Sequence, residues 1–299
     1  MGYLMYTSFT FDSCYDLVDV CKDFKQQGVK ELILDLRYNG GGYVFTENVL
    51  ASMLAPEAEV KNGSVFQTEV WNDDYMALYQ ENGEDLNTYF TTSFNNTFNN
   101  KEYKFDTSGI NLGLNKIYAL VDEGTASAAE SILVGLMPYM DIELIGGRTH
   151  GKYCSGIMWE ASDWYENVEQ SFRENRTTFA KEFPEYGDWK KYMDNWGIYV
   201  MISRYADKEG KNPCMPDGLQ PEVEAHDMFE EPYPLGDERE AMLRVALERA
   251  GKTDLAPLTQ SRVVVSRPLE GAIKFSKNPL DGKRIHAGER VKPRIPQQR

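Results

Sequence analysis

The sequence predicts a layered α/β fold, and three observations carry that reading. "KELILDLRY" is a continuous apolar run, the sign of a strand covered on both faces. "KIYALVD" and "IELIGG" have the same character farther along, and segments with helical signals stand between the runs. With 299 residues, 41% of them hydrophobic, the chain can bury one large core or two smaller ones, and no apolar run is long enough to suggest a membrane span.

Each element follows from local pattern. "YLMYTSFTF" alternates well enough for a strand, after which Ser13 can cap a helix through about Gln27, with Leu17, Cys21 and Phe24 on one face and Gly28 as its stop. "KELILDLRY" leads into "NGGG" and a helix, "FTENVLASML", ended by Pro56. Residues 57 to 115 are less regular, and their Asn/Thr/Phe-rich stretch reads as hairpins or a surface excursion. "KIYALVD" then precedes a helix from Thr125 to about Tyr139, and "IELIGG" is a further strand. The aromatic-rich, charged stretch at about 159–196 reads as an inserted helical pair, either a small satellite core or a lid. "GIYVMISRYADKEGKN" reads as two strands or a bent one, "PDGLQPEVE" as a turn into another segment, and "DEREAMLRVALERAG" as an amphipathic helix closed by Gly251. The main boundary falls near residue 251, giving a body (1–251) and a Pro-rich, basic extension (252–299) with one plausible strand at "RVVVS".

Charge divides the chain the same way. From Lys252 onward there are 11 Lys+Arg against 4 Asp+Glu, a net of +7, which leaves −22 for residues 1 to 251 out of a total of −15. An acidic body repels phosphates and argues against nucleic acid as the main ligand, and the basic tail is suited to docking on its own body or on a partner. Four cysteines make no disulfide framework. On a helix Cys14 and Cys21 would stand about 10 Å apart, too far to bridge, and no spacing matches a zinc site. The start of the chain does not read as a secretion signal.

Three motifs could carry chemistry. In "VDEGTASAAESILVGL" Ser127 stands among small residues where a strand gives way to a helix, and with Glu130 three residues on it fits a capping box equally well. "GGRTHGKY", Gly146 to Tyr153, imitates a phosphate-binding loop, but Tyr153 stands where Ser or Thr would hold magnesium and "YCSGIMWE" reads as extended, so nucleotide binding is disfavoured. "NGGG", Asn39 to Gly42, lies at a buried strand end, where α/β folds commonly place their sites. Taken together, the motifs offer a nucleophile, a base and oxyanion donors, the parts of an acyl-transfer site.

"LILDLRYNGGG", "TASAAE" and "IGGRTHGK" resemble, in order and spacing, the C-terminal processing peptidases, also called tail-specific proteases, which are related to the tricorn core. "PDGLQPEVE" and "YPLGDEREAMLRVALERAG" extend the likeness over roughly residues 3 to 251. The resemblance implies a ClpP/crotonase-like β/α spiral core, a serine endopeptidase acting near protein C-termini, no cofactor or metal, and a polypeptide substrate. It also points to the cell envelope. It makes Ser127 the nucleophile and Lys152, 25 residues later, its base. Two departures stand out: many members carry a glutamine four residues after the lysine, where this chain has Gly156, and the PDZ domain usual in the family is absent from this chain. Glu130 could take over the orienting role.

In the expected reaction, neutral Lys152 takes the Ser127 proton. The oxyanion is received by the amides of Ala128 and of a turn glycine, Gly41 or its neighbour Gly40, with Gly42 and Thr149 lining the substrate. Burial must bring the lysine toward ~7 to 8 from its reference value of about 10.4, at a cost of roughly 4 kcal/mol. His150 is a possible rival base, but no Asp is obviously placed to orient it. Two other readings stay open: a non-catalytic binding module, as in a retinoid-binding relative, and a crotonase-like enzyme, which would not need the Ser and Lys pair.

Overall fold

A computed structural model describes residues 1–160, 197–227, 233–258 and 283–285. The chain opens with β1 (Gly2–Met5), α1 (Ser13–Gln26), β2 (Glu31–Asp35), β3 (Gly41–Tyr43), α2 (Val44–Leu54), α3 (Glu57–Asn62) and β4 (Val65–Val70). It continues through α4 (Asp73–Asn82), β5 (Asn87–Tyr89), β6 (Ser93–Phe98), β7 (Lys101–Asp106), β8 (Lys116–Val121), α5 (Ala128–Leu136) and β9 (Asp141–Gly146). Next come β10 (Cys154–Glu160), β11 (Gly197–Ala206), β12 (Val223–Glu224), α6 (Ala241–Arg249) and β13 (Lys283–Ile285).

The result is a mixed α/β architecture. A parallel five-stranded sheet runs in the order β1-β2-β8-β9-β12. The middles of its central strands are mostly apolar because both faces are covered, and alternate residues serve different cores. Leu32, Leu34, Ile117, Ala119, Val121, Ile142 and Leu144 join the large core with α1, α2 and α5. Ile33, Tyr118, Leu120 and Ile145 face Met242, Leu243 and Ala246 of α6. A second sheet runs β3-β13-β10-β11-β4-β5, and β6 and β7 form a separate hairpin.

Local departures from the sequence expectations have physical reasons. Ser13 is not the cap of α1. Asp12 holds that position, while Ser13 Oγ donates to Thr10 O at 2.7 Å. The irregular stretch 57–115 contains the expected hairpin but also α3, β4 and α4. Helix α4 buries no residue and has no apolar stripe to announce it, being marked only by its Asn72 cap, which accepts from Tyr75 N–H at 3.0 Å, and by left-handed Gly83. α5 starts after Ser127, not at Thr125. β11 is one strand. The aromatic insert and "RVVVS" lie outside the described residues, apart from the β10 residues at the insert's start.

Candidate active site

The turn after β8 is built around Asp122. Its Oδ1 accepts the amides of Tyr38 (3.3 Å), Gly124 (2.9 Å) and Thr125 (3.0 Å), and burial raises its pKa above the ordinary carboxylate value. Thr125 Oγ1 donates to Leu36 O at 2.9 Å, and Ala126 N–H donates to Asn39 O at 2.9 Å, which fixes this turn against the "NGGG" turn. The chain then bends sharply at Ser127, whose φ of 63° and ψ of −116° suit glycine rather than an L side chain. Such a conformation costs of order 1–3 kcal/mol and persists only where surrounding bonds impose it. It is also the kind of strained strand-to-helix turn that presents a hydrolase nucleophile.

Glu130 is the hub of those bonds. The residue is fully buried, and its carboxylate receives Ser127 N–H at 2.8 Å, Lys152 N–H at 2.9 Å, Gly151 N–H at 2.6 Å and the Thr149 hydroxyl at 2.5 Å, with the Cys214 thiol also hydrogen-bonded to it. Ser127 and Lys152 share one oxygen of it, Oε2. Position and spacing are those of a capping box: Glu130 Oε2 accepts Ser127 N–H, and the Ser127 side chain faces the Glu130 amide. Ser127 Oγ is completely buried, and that second contact falls short of good hydrogen-bond distance and angle, with no other partner among the described residues.

Glu130 thus holds the main chain of the Gly-Lys segment. Lys152 is half-buried, with Nζ 5.3 Å from the centre of the Tyr199 ring, and Tyr205 Oη donates to its carbonyl at 3.3 Å. A Cβ on Gly156 would lie 2.6 Å from Tyr199 Cζ, so the phenol of β11 occupies the space a side chain at 156 would need. Sequence reasoning missed Tyr199. Its signal was the bare glycine on a strand, which marks close approach by a neighbour.

The other expected residues are distributed as follows. Gly41 N–H already donates to Asn39 Oδ1 at 2.9 Å, so it is not aimed at an oxyanion in this conformation. Ala128 N–H belongs to the first turn of α5, where amides have no helical carbonyl to receive them, and the positive end of the helix dipole lies there. Gly40 is buried beside Gly41. Gly42 meets a packing requirement: with φ +144°, a Cβ would sit 2.3 Å from Phe9 O. The Thr149 hydroxyl donates to Glu130 and accepts from Leu219 N–H at 2.7 Å, which makes it an internal brace between the Gly-Lys segment and the "PDGL" turn. His150 is exposed, with its N–H held by Thr125 O at 3.0 Å.

With this geometry in place, comparison with known proteins is informative. The model of peptidase family S41 matches residues 1–225. The chain belongs to peptidase family S41. The carboxy-terminal processing protease CtpA of Bacillus subtilis (strain 168) is 25% identical over 189 residues, which are 63% of this chain and 32% of CtpA. This S41 chain therefore aligns with only about a third of that relative. A crystal structure assigned to an S41 protease of Bacteroides fragilis NCTC 9343 superposes with a TM-score of 0.57 at 24% identity, covering 84% of this chain and 55% of the other, a likeness of fold. The photosystem II D1 C-terminal processing protease gives 0.43 at 20% identity, over 74% and 41%, too low to argue from.

Proposed function

We propose that this S41 member is a serine peptidase that cleaves polypeptides through an acyl-enzyme, with Ser127 as nucleophile and Lys152 as general base, acting near protein C-termini. One observation carries the reading: a strained, fully buried serine at a strand-to-helix turn is tied, through a single Glu130 oxygen, to the backbone of the lysine expected to serve it. Family membership supports it. We read residues 1–251 as the catalytic domain, with a ClpP/crotonase-like β/α spiral core, and 252–299 as an extension.

In this mechanism Lys152 accepts the Ser127 proton as Oγ attacks the peptide carbonyl. Ala128 N–H receives the developing oxyanion at the positive end of α5, and such a donor is typically worth ~3 to 4 kcal/mol. The second donor is Gly40 N–H, or Gly41 N–H once released from Asn39. Lys152 returns the proton to the leaving amine, and water then hydrolyses the ester. Tyr199 holds the lysine side chain in place from the position that Gly156 leaves open.

A fluorophosphonate probe followed by mass spectrometry tests the assignment. Ser127 should be labelled, Ser127→Ala should remain unlabelled, and Lys152→Ala should slow both labelling and hydrolysis of fluorescein-casein by about a thousandfold or more. Labelling of the Lys152→Ala variant at the parent rate would remove the lysine as base, and an unlabelled parent would leave a binding role.

A further inference from the structure

The second sheet has an unusual member. β13, three residues of the basic extension, lies between β3, the strand that continues the "NGGG" turn, and β10, the strand that follows Lys152. It pairs in parallel with both: Lys283, Arg284 and Ile285 oppose Gly41, Gly42 and Tyr43, and Ile285 also opposes Gly156. The two segments that flank the proposed catalytic residues are thus joined by a stretch of chain more than 120 residues away in sequence from either. An extended peptide entering such a gap would be held by main-chain bonds on both edges, the mode by which many proteins take a polypeptide without reading its sequence.

Two further observations bear on the occupant. Ser127 is fully buried, so a substrate carbonyl reaches its hydroxyl only after something moves aside. The extension carries +7 against −22 for residues 1–251, so charge favours its association with the body. Resting on the peptidase reading above, we propose that the gap between β3 and β10 is the peptide-binding slot and that the chain's own segment at Lys283–Ile285 fills it as a competing strand. A tethered segment acts at an effective concentration in the millimolar range. Even weak strand pairing then keeps the slot mostly occupied, and a substrate binds only by displacing it.

The test uses the full chain. Arg284→Pro/Ile285→Pro removes two successive backbone donors, which in a central strand point to opposite neighbours. In the Ser127→Ala background, a fluorescent peptide of residues 280–288 should bind the proline variant about tenfold or more tighter than the parent. In the Ser127 background, fluorophosphonate labelling should accelerate by a similar factor, with the melting temperature of the body unchanged. Equal peptide affinity and equal labelling rates overturn the proposal while leaving the peptidase reading intact. Absence of labelling in both chains removes the peptidase reading instead, and peptide binding still judges the slot. Lys283→Ala/Arg284→Ala keeps every backbone donor. If it relieves the site as fully as the prolines do, charge alone docks the tail and the strand reading fails.

Discussion

Two buried carboxylate clusters, one around Glu130 and one around Arg37, are neutralised differently. At Glu130 the charge is met by backbone amides, the Thr149 hydroxyl and the Cys214 thiol, all dipoles. At Arg37 the charges are met by a cation. The guanidinium, itself fully buried, makes paired bonds to Asp35 (3.0 and 2.7 Å) and Glu240 (2.9 and 3.3 Å) and a further one to Asp227. Burial alone would lower the arginine pKa, but these carboxylates outweigh it and hold the guanidinium firmly charged. Glu240 also accepts Leu243 N–H at 2.8 Å, so Arg37 ties the end of β2 to the start of α6. The Glu130 arrangement positions backbone beside the serine without adding a fixed cation to the proposed catalytic pair. The Arg37 arrangement is a structural rivet.

Substitutions can separate the two roles. Arg37→Met leaves Asp35 and Glu240 buried without their cation and should cost about 3–5 kcal/mol, read as a lowered denaturation midpoint. Glu130→Gln keeps the shape but turns an NH2 toward donors. It should cost less, about 1–3 kcal/mol, while slowing fluorophosphonate labelling far more than its stability loss explains. Equal ratios of activity loss to stability loss in the two variants would break the distinction.

Ser127→Gly probes the strain directly. Glycine accepts φ 63° freely, so this variant should be more stable than the parent by about 1 kcal/mol. A loss of stability would mean that the hydroxyl is a structural group after all. The smallest effect concerns Asp122. Its folded pKa is raised, so its contribution to stability is present below the ordinary carboxylate pKa and is lost as pH rises through the folded value. Asp122→Asn should therefore gain on the parent, in melting temperature, as pH goes from about 4 to about 7. A pH-independent difference would contradict the buried-carboxylate account of this turn.

Much of the site is legible in the amino-acid sequence. The apolar runs at 31–35, 116–121 and 141–146 mark buried strands because only a covered sheet tolerates such composition, and they form the parallel sheet. The small residues around Ser127 mark a tight strand-to-helix junction. The internal bonds of Thr149 and the tight packing of Gly42 were not legible, because a hydroxyl and a bare backbone can serve packing as readily as ligand, and their neighbours Leu219 and Phe9 lie far off in sequence. Helix α4 escapes a reading of pattern because it lacks an apolar face.

What composition and spacing could settle was local and statistical: which segments hide from water, where the chain must bend, and which residue types could move a proton. They could not say that Tyr199 would stand where Gly156 has no side chain, or that Arg37 would meet Glu240 from the far end of the chain. Nor could they say that three residues of a basic tail would lie between β3 and β10. Those pairings join segments tens to hundreds of residues apart, and nothing in the local preferences of either partner encodes the distance between them. They come into being only when burial of the two cores brings the strands and helices together.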